Sequence, residues 1–156
     1  MPEGLKTWIK QEAPFESEAQ EAALNLLVAA SFMNERLERA AQKYDITRSQ
    51  YNILRILRGA PADGYPRCEV HGRMIDRSPD VTRLMDRLVE RGLVDRRRSD
   101  TDRRVALHTI TDKGRALLLE MHPDISDTIT FFASRVSQAD LHHLSRICEG
   151  IYLERE

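Results

Sequence analysis

The chain has 156 residues, with 24 Lys and Arg against 25 Asp and Glu, and a formal net charge of −1. That length fits one domain, and the chain contains neither a run of about 18 apolar residues that would cross a membrane nor a hydrophobic signal segment. Because its two cysteines are also too few for a disulfide framework, we expect a cytoplasmic protein without a membrane span.

The charge is distributed unevenly along the chain. Residues 47–115 contain 16 Lys and Arg against 10 Asp and Glu, whereas residues 1–46 and 116–156 together carry an excess of negative charge. A basic middle between acidic ends is typical of a DNA-facing lobe joined to a lobe that is turned away from phosphate. The alternative is a chance clustering of surface charge.

The N-terminal part predicts a loose arm and then a long helix. The first fifteen residues are poorly patterned, and Leu5, Trp8 and Ile9 within them could pack on a partner subunit. Ser17–Tyr44 carry apolar residues at helical spacing. This stripe is longer than a small core needs, so we expect part of it to be buried against a second chain.

The next segment predicts two helices. Thr47–Gln50 is a capping box that starts a helix ending at Gly59. After a link that contains proline and glycine, Cys68–Ile75 is typical of the first helix of a helix-turn-helix, and Ile75 is expected to face inward. Gly72 in this helix costs about 1 kcal/mol relative to alanine. Either it permits close packing against the following helix, which we favour, or the helix is looser.

The following segment predicts a short amphipathic helix. Ser78 is a good N-cap, Pro79 suits the first helical position, and Gly92 falls where a left-handed C-terminal cap is wanted. One face of this helix is apolar and the other is polar and basic. The apolar positions are Val81, Leu84, Met85, Leu88 and Val89.

A hairpin with arginines at its tip follows that helix. Leu93–Arg98 and Val105–Ile110 are typical of short strands, joined by the polar turn Ser99–Arg104. The helix fits the major groove of DNA. The tip of the hairpin can place an arginine in the narrow, electronegative minor groove.

The C-terminal part is again helical. Thr111 can cap a helix that begins at Asp112, and Pro123 is expected to stop or kink it after about His122. A second capping box, Ser137–Asp140, starts a last helix that extends to about Leu153. The first and last long helices are expected to form a dimer lobe.

Several of these motifs resemble the winged helix-turn-helix of the MarR family of bacterial transcription regulators. The motifs are Asp80–Leu84, Leu88–Val94, Asp102–Arg104 and Thr109–Leu118. The resemblance implies a mainly α fold with a small β-hairpin wing (α+β). It also implies a single MarR-type domain over residues 1–156, with a winged helix-turn-helix lobe (47–115) and a helical dimerisation lobe (16–46 and 116–156). Arg67-Cys68 and Gly72 depart from the common pattern of the family's first motif helix.

The resemblance also implies the residues that contact double-stranded DNA. In the family an Asp-x-Arg pattern lets the aspartate orient the wing arginine that enters the minor groove, and Asp102 and Arg104 match that pattern. The predicted DNA-binding residues are Arg77, Ser78, Thr82, Arg83, Arg87, Arg98, Asp102, Arg103 and Arg104. The alternative for each is a solvated surface charge or cap.

Many members of the family bind a small aromatic or anionic effector between the two lobes. The candidate lining residues here are Phe32, Met33, Arg36, Tyr51, Arg55 and Met121. The alternative is that these are ordinary core and surface residues.

Other site chemistry has little support. Cys68 is an alternative redox sensor, but Cys148 lies on an apolar stripe, where an inert buried thiol is the usual state. The histidines show no zinc-binding spacing, and no catalytic motif is present, so we expect no enzyme, cofactor or metal site.

The sequence therefore predicts a homodimeric repressor that binds a pseudo-palindromic operator and is released by a small effector. The alternative is a winged-helix module that binds proteins and has no specific affinity for DNA.

Overall fold

The computed structural model of the chain describes residues 4–76 and 80–153. Within these ranges it has seven helices and three strands. The helices are α1 Leu5–Trp8, α2 Glu18–Gln42, α3 Arg48–Arg58, α4 Arg67–Arg73, α5 Val81–Glu90, α6 Asp112–Ala133 and α7 Gln138–Tyr152. The strands are β1 Tyr65–Pro66, β2 Val94–Arg98 and β3 Ala106–Ile110. No helix in the described ranges combines the length and apolar character that crossing a membrane requires.

The three strands form one antiparallel sheet in the order β1-β3-β2. Strands β2 and β3 are the predicted hairpin, and β1 adds a short third strand through the pairing of Tyr65 with His108. Gly64, at φ +80°, makes this approach possible, because a Cβ there would lie 2.1 Å from the His108 carbonyl oxygen. A mainly helical chain with this small sheet confirms the predicted winged helix fold.

The predicted helix starts are confirmed where a hydroxyl residue caps the helix. The Ser17 hydroxyl accepts from the backbone N–H of Gln20, and the capping box of Thr47 and Gln50 is fully formed. Thr111 caps α6 and Ser137 caps α7 in the same way. Each cap satisfies a backbone donor that the first turn of a helix leaves without a partner.

The predicted start of α5 is wrong. The helix begins at Val81, and its N-cap is Asp80, whose carboxylate accepts from the backbone N–H of Arg83 at 3.3 Å. Aspartate caps a helix as well as serine does, so the later start loses no capping energy. Ser78 and Pro79 lie outside the described residues.

The predicted inward orientation of Ile75 is also wrong. Helix α4 ends at Arg73, Met74 is extended and buried, and Ile75 is 83% exposed. The change to extended backbone rotates the next side chain off the helical stripe. The close packing inferred for Gly72 is not found among the described residues, none of which has an atom within 4 Å of a Cβ built at that position.

Helix α6 continues through Pro123 to Ala133, so of the two outcomes predicted for this proline, a stop or a kink, the stop is wrong. The side chains of Met121 and Ile125, on either side of the proline, are buried against the core. Proline cannot donate to the carbonyl of Leu119, but Leu119 is exposed, so water can satisfy that carbonyl. Burial on both sides of the proline therefore outweighs the lost hydrogen bond.

The hydrophobic core lies beneath the winged helix-turn-helix. Its largest fully buried side chains are Ile53, Leu54, Leu57, Met85, Leu88, Met121, Val70 and Val94. Full burial of such a side chain contributes about 1.5–3 kcal/mol. Helix α7, in contrast, has no buried residue. Leu5, which was expected to face a partner, is buried within its own chain, whereas Trp8 is exposed.

Candidate nucleic-acid interface

The C-terminal end of α5 is held on several sides. Gly92 adopts φ +68°, and the backbone N–H groups of Gly92 and Leu93 donate to the carbonyls of Val89 and Leu88, both at 2.9 Å. This is a Schellman cap, as the glycine predicted. The Arg91 guanidinium donates to the carbonyls of Tyr44 and Asp45, between α2 and α3. The helix end therefore has a fixed position relative to the end of α2.

The outer face of α5 carries the predicted helix contacts. Thr82, Arg83 and Arg87 are all exposed, on the side opposite the buried apolar stripe. Asp86 lies on the same face and forms an ion pair with Arg96 of β2 at 3.7 Å. The Asp86 carboxylate therefore partly neutralises Arg96 beside this face. Arg77 and Ser78, the other two predicted helix contacts, lie outside the described residues.

The turn between β2 and β3 is ordered by hydrogen bonds. The buried Ser99 hydroxyl accepts from the backbone N–H groups of Thr101 and Asp102, and the Val105 N–H donates to the Asp102 carbonyl at 2.9 Å. The Asp102 carboxylate accepts from the backbone N–H of Arg104 at 2.9 Å. Asp102 therefore orients the backbone that carries Arg104.

The wing arginines divide into paired and unpaired side chains. Arg97 forms ion pairs with Asp63 at 2.6 Å and with Asp100 at 3.4 Å, and Arg96 pairs with Asp86. Three other arginines have no described carboxylate within 4.0 Å. These are Arg98, Arg103 and Arg104, the three that the sequence predicts. An unpaired arginine keeps its full charge for phosphate or base edges.

A cleft of about 520 Å³ lies between α5 and the wing. Its charged lining comprises Arg67, Asp86, Arg96 and Arg104, and Thr82, Cys68 and the buried His108 also line it. Sequence reasoning missed Arg67, which comes from the start of α4 and donates to the Thr82 hydroxyl at 2.9 Å. No local pattern marks this residue, because its position depends on the pairing of β1 with β3.

His108 is 5% exposed, and its Nδ1 atom has no hydrogen-bond partner among the described residues. Burial lowers the pKa of His108 below its ordinary value of 6.5 and outweighs the opposing hydrogen bond with the Tyr65 backbone. The positive charges of Arg96 and Arg67 lower this pKa further, while Asp86 raises it. The folded state therefore favours the neutral imidazole.

We expect this shift to make the fold less stable in weak acid. Below pH 6.5 His108 takes up a proton in the unfolded chain but stays neutral in the folded protein. The free energy of unfolding therefore falls with decreasing pH until the pH reaches the lowered pKa of the folded state. We expect His108→Gln to remove this acid-dependent loss of stability. Denaturant titrations over a pH series measure it. His122→Gln, at an exposed position on α6, is the control. Equal acid sensitivity of His108→Gln and the wild type would contradict the prediction.

The structure brings together only part of the predicted effector site. Phe32 contacts Phe131 with ring centroids 5.8 Å apart, and the Arg36 guanidinium lies 3.9 Å above the same Phe131 ring. Arg36 also lines a cleft of about 250 Å³ between α2 and α6. Met33, on α2, is half-buried.

The other predicted effector residues lie elsewhere. Tyr51 and Arg55 form a separate pair on α3, in which the guanidinium donates to the Tyr51 hydroxyl at 3.1 Å. Met121 is fully buried in the core. The α2–α6 cleft contains Asp124 instead, whose carboxylate accepts from Lys43 and from the Tyr44 hydroxyl. Both hydrogen bonds lower the pKa of Asp124.

Comparisons with known proteins agree with this arrangement. A family model described as transcriptional regulator SarA/Rot matches residues 37–121, more than half of the chain. A solved MarR transcription factor from Planctomyces limnophilus is 33% identical, with a TM-score of 0.68, and the match covers 87% of this chain and 98% of that chain. The HTH-type transcriptional regulator MhqR of Bacillus subtilis (strain 168) is 24% identical over 137 residues, which is 85% of this chain and 93% of MhqR.

The fold is also shared with a mutant MarR from E. coli that was solved in complex with operator DNA. The TM-score is 0.76 at 21% identity, over 90% of this chain and 100% of that chain. Together with the winged helix and its basic outer face, these matches confirm the resemblance found in the sequence. The chain belongs to the MarR family of winged helix-turn-helix proteins and is a DNA-binding transcriptional regulator of the MarR/SarA type.

Proposed function

We propose that the chain is a homodimeric repressor that binds a pseudo-palindromic operator in the bacterial cytoplasm. Each subunit places the outer face of α5 in a major groove and its wing in the adjacent minor groove. The observation that carries this proposal is the set of wing arginines beside that face with no described carboxylate within 4.0 Å. Arg98 lies at the end of β2, and Arg103 and Arg104 lie on the ordered turn. Thr82, Arg83 and Arg87 are the proposed contacts from the helix.

The dimer is proposed to form through residues 16–46 and 116–156, while residues 47–115 bind DNA. The support is the apolar surface that α7 leaves uncovered within one chain, which includes Ile147, Ile151 and Tyr152. Exposed apolar side chains on one helix are typical of a surface that a second subunit covers. A two-fold dimer requires half-sites about one helical turn, ~10 base pairs, apart.

The proposed effector is a small aromatic or anionic acid bound at the α2–α6 cleft. The cleft carries Arg36, Arg39 and Lys43 against Asp124 and Asp127, and the Arg36 Nε atom is buried without a partner among the described residues. Such a ligand releases DNA only if it binds more tightly to the subunit spacing that does not fit the operator. Thermal-shift screening with aromatic acids, oxidants and divalent metals separates this mode from redox or metal sensing.

In vitro selection tests the proposed function. The purified protein is incubated with a random-sequence duplex pool, and bound duplexes are amplified and sequenced over several rounds. We expect enrichment of an inverted repeat with half-site centres ~10 base pairs apart. A pool that stays random would contradict specific DNA binding and would favour the protein-interaction module.

A further inference from the structure

The cleft between α5 and the wing lies between two elements that enter different grooves. If α5 occupies the major groove and the wing tip occupies the minor groove, one sugar-phosphate strand must pass between them, because that strand separates the two grooves. The cleft, at about 520 Å³, is the space that the structure leaves there. Its chemistry therefore decides how that strand is held.

The lining of the cleft suits a phosphodiester. Three guanidinium groups, those of Arg67, Arg96 and Arg104, face one carboxylate, that of Asp86. Asp86 partly neutralises only Arg96, at 3.7 Å. The remaining two positive charges match a strand that carries a negative charge at every phosphate.

Arg67 is the side chain best placed to bind the strand. One of its N–H donors contacts the Thr82 hydroxyl at 2.9 Å, which links the guanidinium to α5. The other donors of the guanidinium remain for a charged acceptor, and no described carboxylate lies within 4.0 Å of Arg67. Because Thr82 accepts from Arg67, its own hydroxyl hydrogen is left to donate to a phosphate oxygen.

We propose that this cleft seats one phosphodiester strand of duplex DNA, and that Arg67 and Thr82 are the positioning residues that hold it. The inference rests on the proposed DNA-binding function and adds a contact from α4, outside both the recognition helix and the wing. Since phosphate contacts carry no sequence information, Arg67 sets the register and the strength of binding to all sequences alike.

The first test is the salt dependence of binding to a short mixed-sequence duplex. Arg67→Ala is expected to reduce the slope of log K against log salt by about 0.9, the value for one phosphate contact. Arg73→Ala is the matched control, because Arg73 lies on the same helix but is already paired with Glu69 at 2.7 Å. We expect the control to keep the wild-type slope. An Arg67→Ala slope equal to that of the wild type overturns the proposal.

The second test uses the wild-type protein and its own cysteines. Cys68 is exposed and lines the cleft, whereas Cys148 lies on α7. A bound duplex is expected to slow the alkylation of Cys68 by iodoacetamide and to leave Cys148 unchanged. Inorganic phosphate at the same ionic strength is expected to give no such protection, because it provides no covering strand.

The outcomes separate the two proposals. If Cys68 is alkylated at its full rate in the DNA-saturated complex, and Arg67→Ala keeps the wild-type salt slope, the proposed strand-binding cleft is overturned. The DNA-binding proposal then still stands. If inorganic phosphate alone protects Cys68, the cleft is a site for a free anion, and the proposal that it binds a DNA strand is also overturned. A wild-type protein that binds no duplex would defeat both proposals.

Discussion

Replacing both Arg103 and Arg104 by alanine is expected to weaken operator binding by about a hundredfold, or ~2.8 kcal/mol, at moderate salt. Both side chains lie on the ordered wing turn, and neither is neutralised by a described carboxylate within 4.0 Å. Their loss removes two positive charges from the part of the wing that is proposed to enter the minor groove. The measurement is a fluorescence anisotropy titration with the selected operator at several salt concentrations.

Arg97→Ala is the control for this wing variant. Arg97 lies on the same hairpin, but its guanidinium is held by Asp63 and Asp100. Because exposed ion pairs contribute about 0–1 kcal/mol, its removal is expected to change stability and affinity little. If the double variant bound as tightly as Arg97→Ala, with the same salt slope, the wing would not contact DNA.

An aspartate on the exposed apolar face of α7 is expected to dissociate the proposed dimer. Ile151 is 64% exposed within one chain, so Ile151→Asp leaves the core of the subunit unchanged. In a dimer the same carboxylate is buried without a partner, which strongly disfavours association. The loss of coupled half-site binding is expected to weaken operator affinity by ~10²–10⁴-fold.

Sedimentation equilibrium measures the dissociation of the dimer, and an anisotropy titration measures the loss of operator affinity. Ile75→Asp is the matched control for association, because Ile75 is 83% exposed and lies within residues 47–115, outside the proposed dimer lobe. We expect this control to remain dimeric. An Ile151→Asp variant that stays dimeric would place the subunit interface elsewhere.

Local sequence signals predicted most of the fold correctly. The caps at Thr47, Thr111 and Ser137 depend on a hydroxyl and a backbone N–H only three residues apart, so the sequence contains the whole interaction. The loss of helical periodicity after Gly92 and the polar turn Ser99–Arg104 likewise predict the two wing strands. These features need no information about distant parts of the chain.

The errors arose where distant contacts decide the outcome. Helix α6 passes Pro123 because core residues from other helices bury both sides of it. The hydrogen bonds from Lys43 and Tyr44 to Asp124 join residues about eighty positions apart. The periodicity of a single helix does not predict such long-range contacts. These contacts nevertheless decide which charged side chains line each cleft.

The same limit applies to the DNA-binding surface. The sequence identified the exposed arginines, but it did not indicate which of them are already neutralised. Arg97 is paired with Asp100 and with Asp63, which lies 34 residues earlier in the chain, whereas Arg98 has no described carboxylate within 4.0 Å. Arg67 escaped notice because its contact with Thr82 crosses from α4 to α5.

The hydrogen bonds from Arg91 to the carbonyls of Tyr44 and Asp45 have a mechanical consequence. They join the C-terminal end of α5 to the segment that directly follows α2, so a tilt of α2 also moves α5. If the proposed effector binds in the α2–α6 cleft and rotates α2, these two hydrogen bonds transmit that rotation to α5.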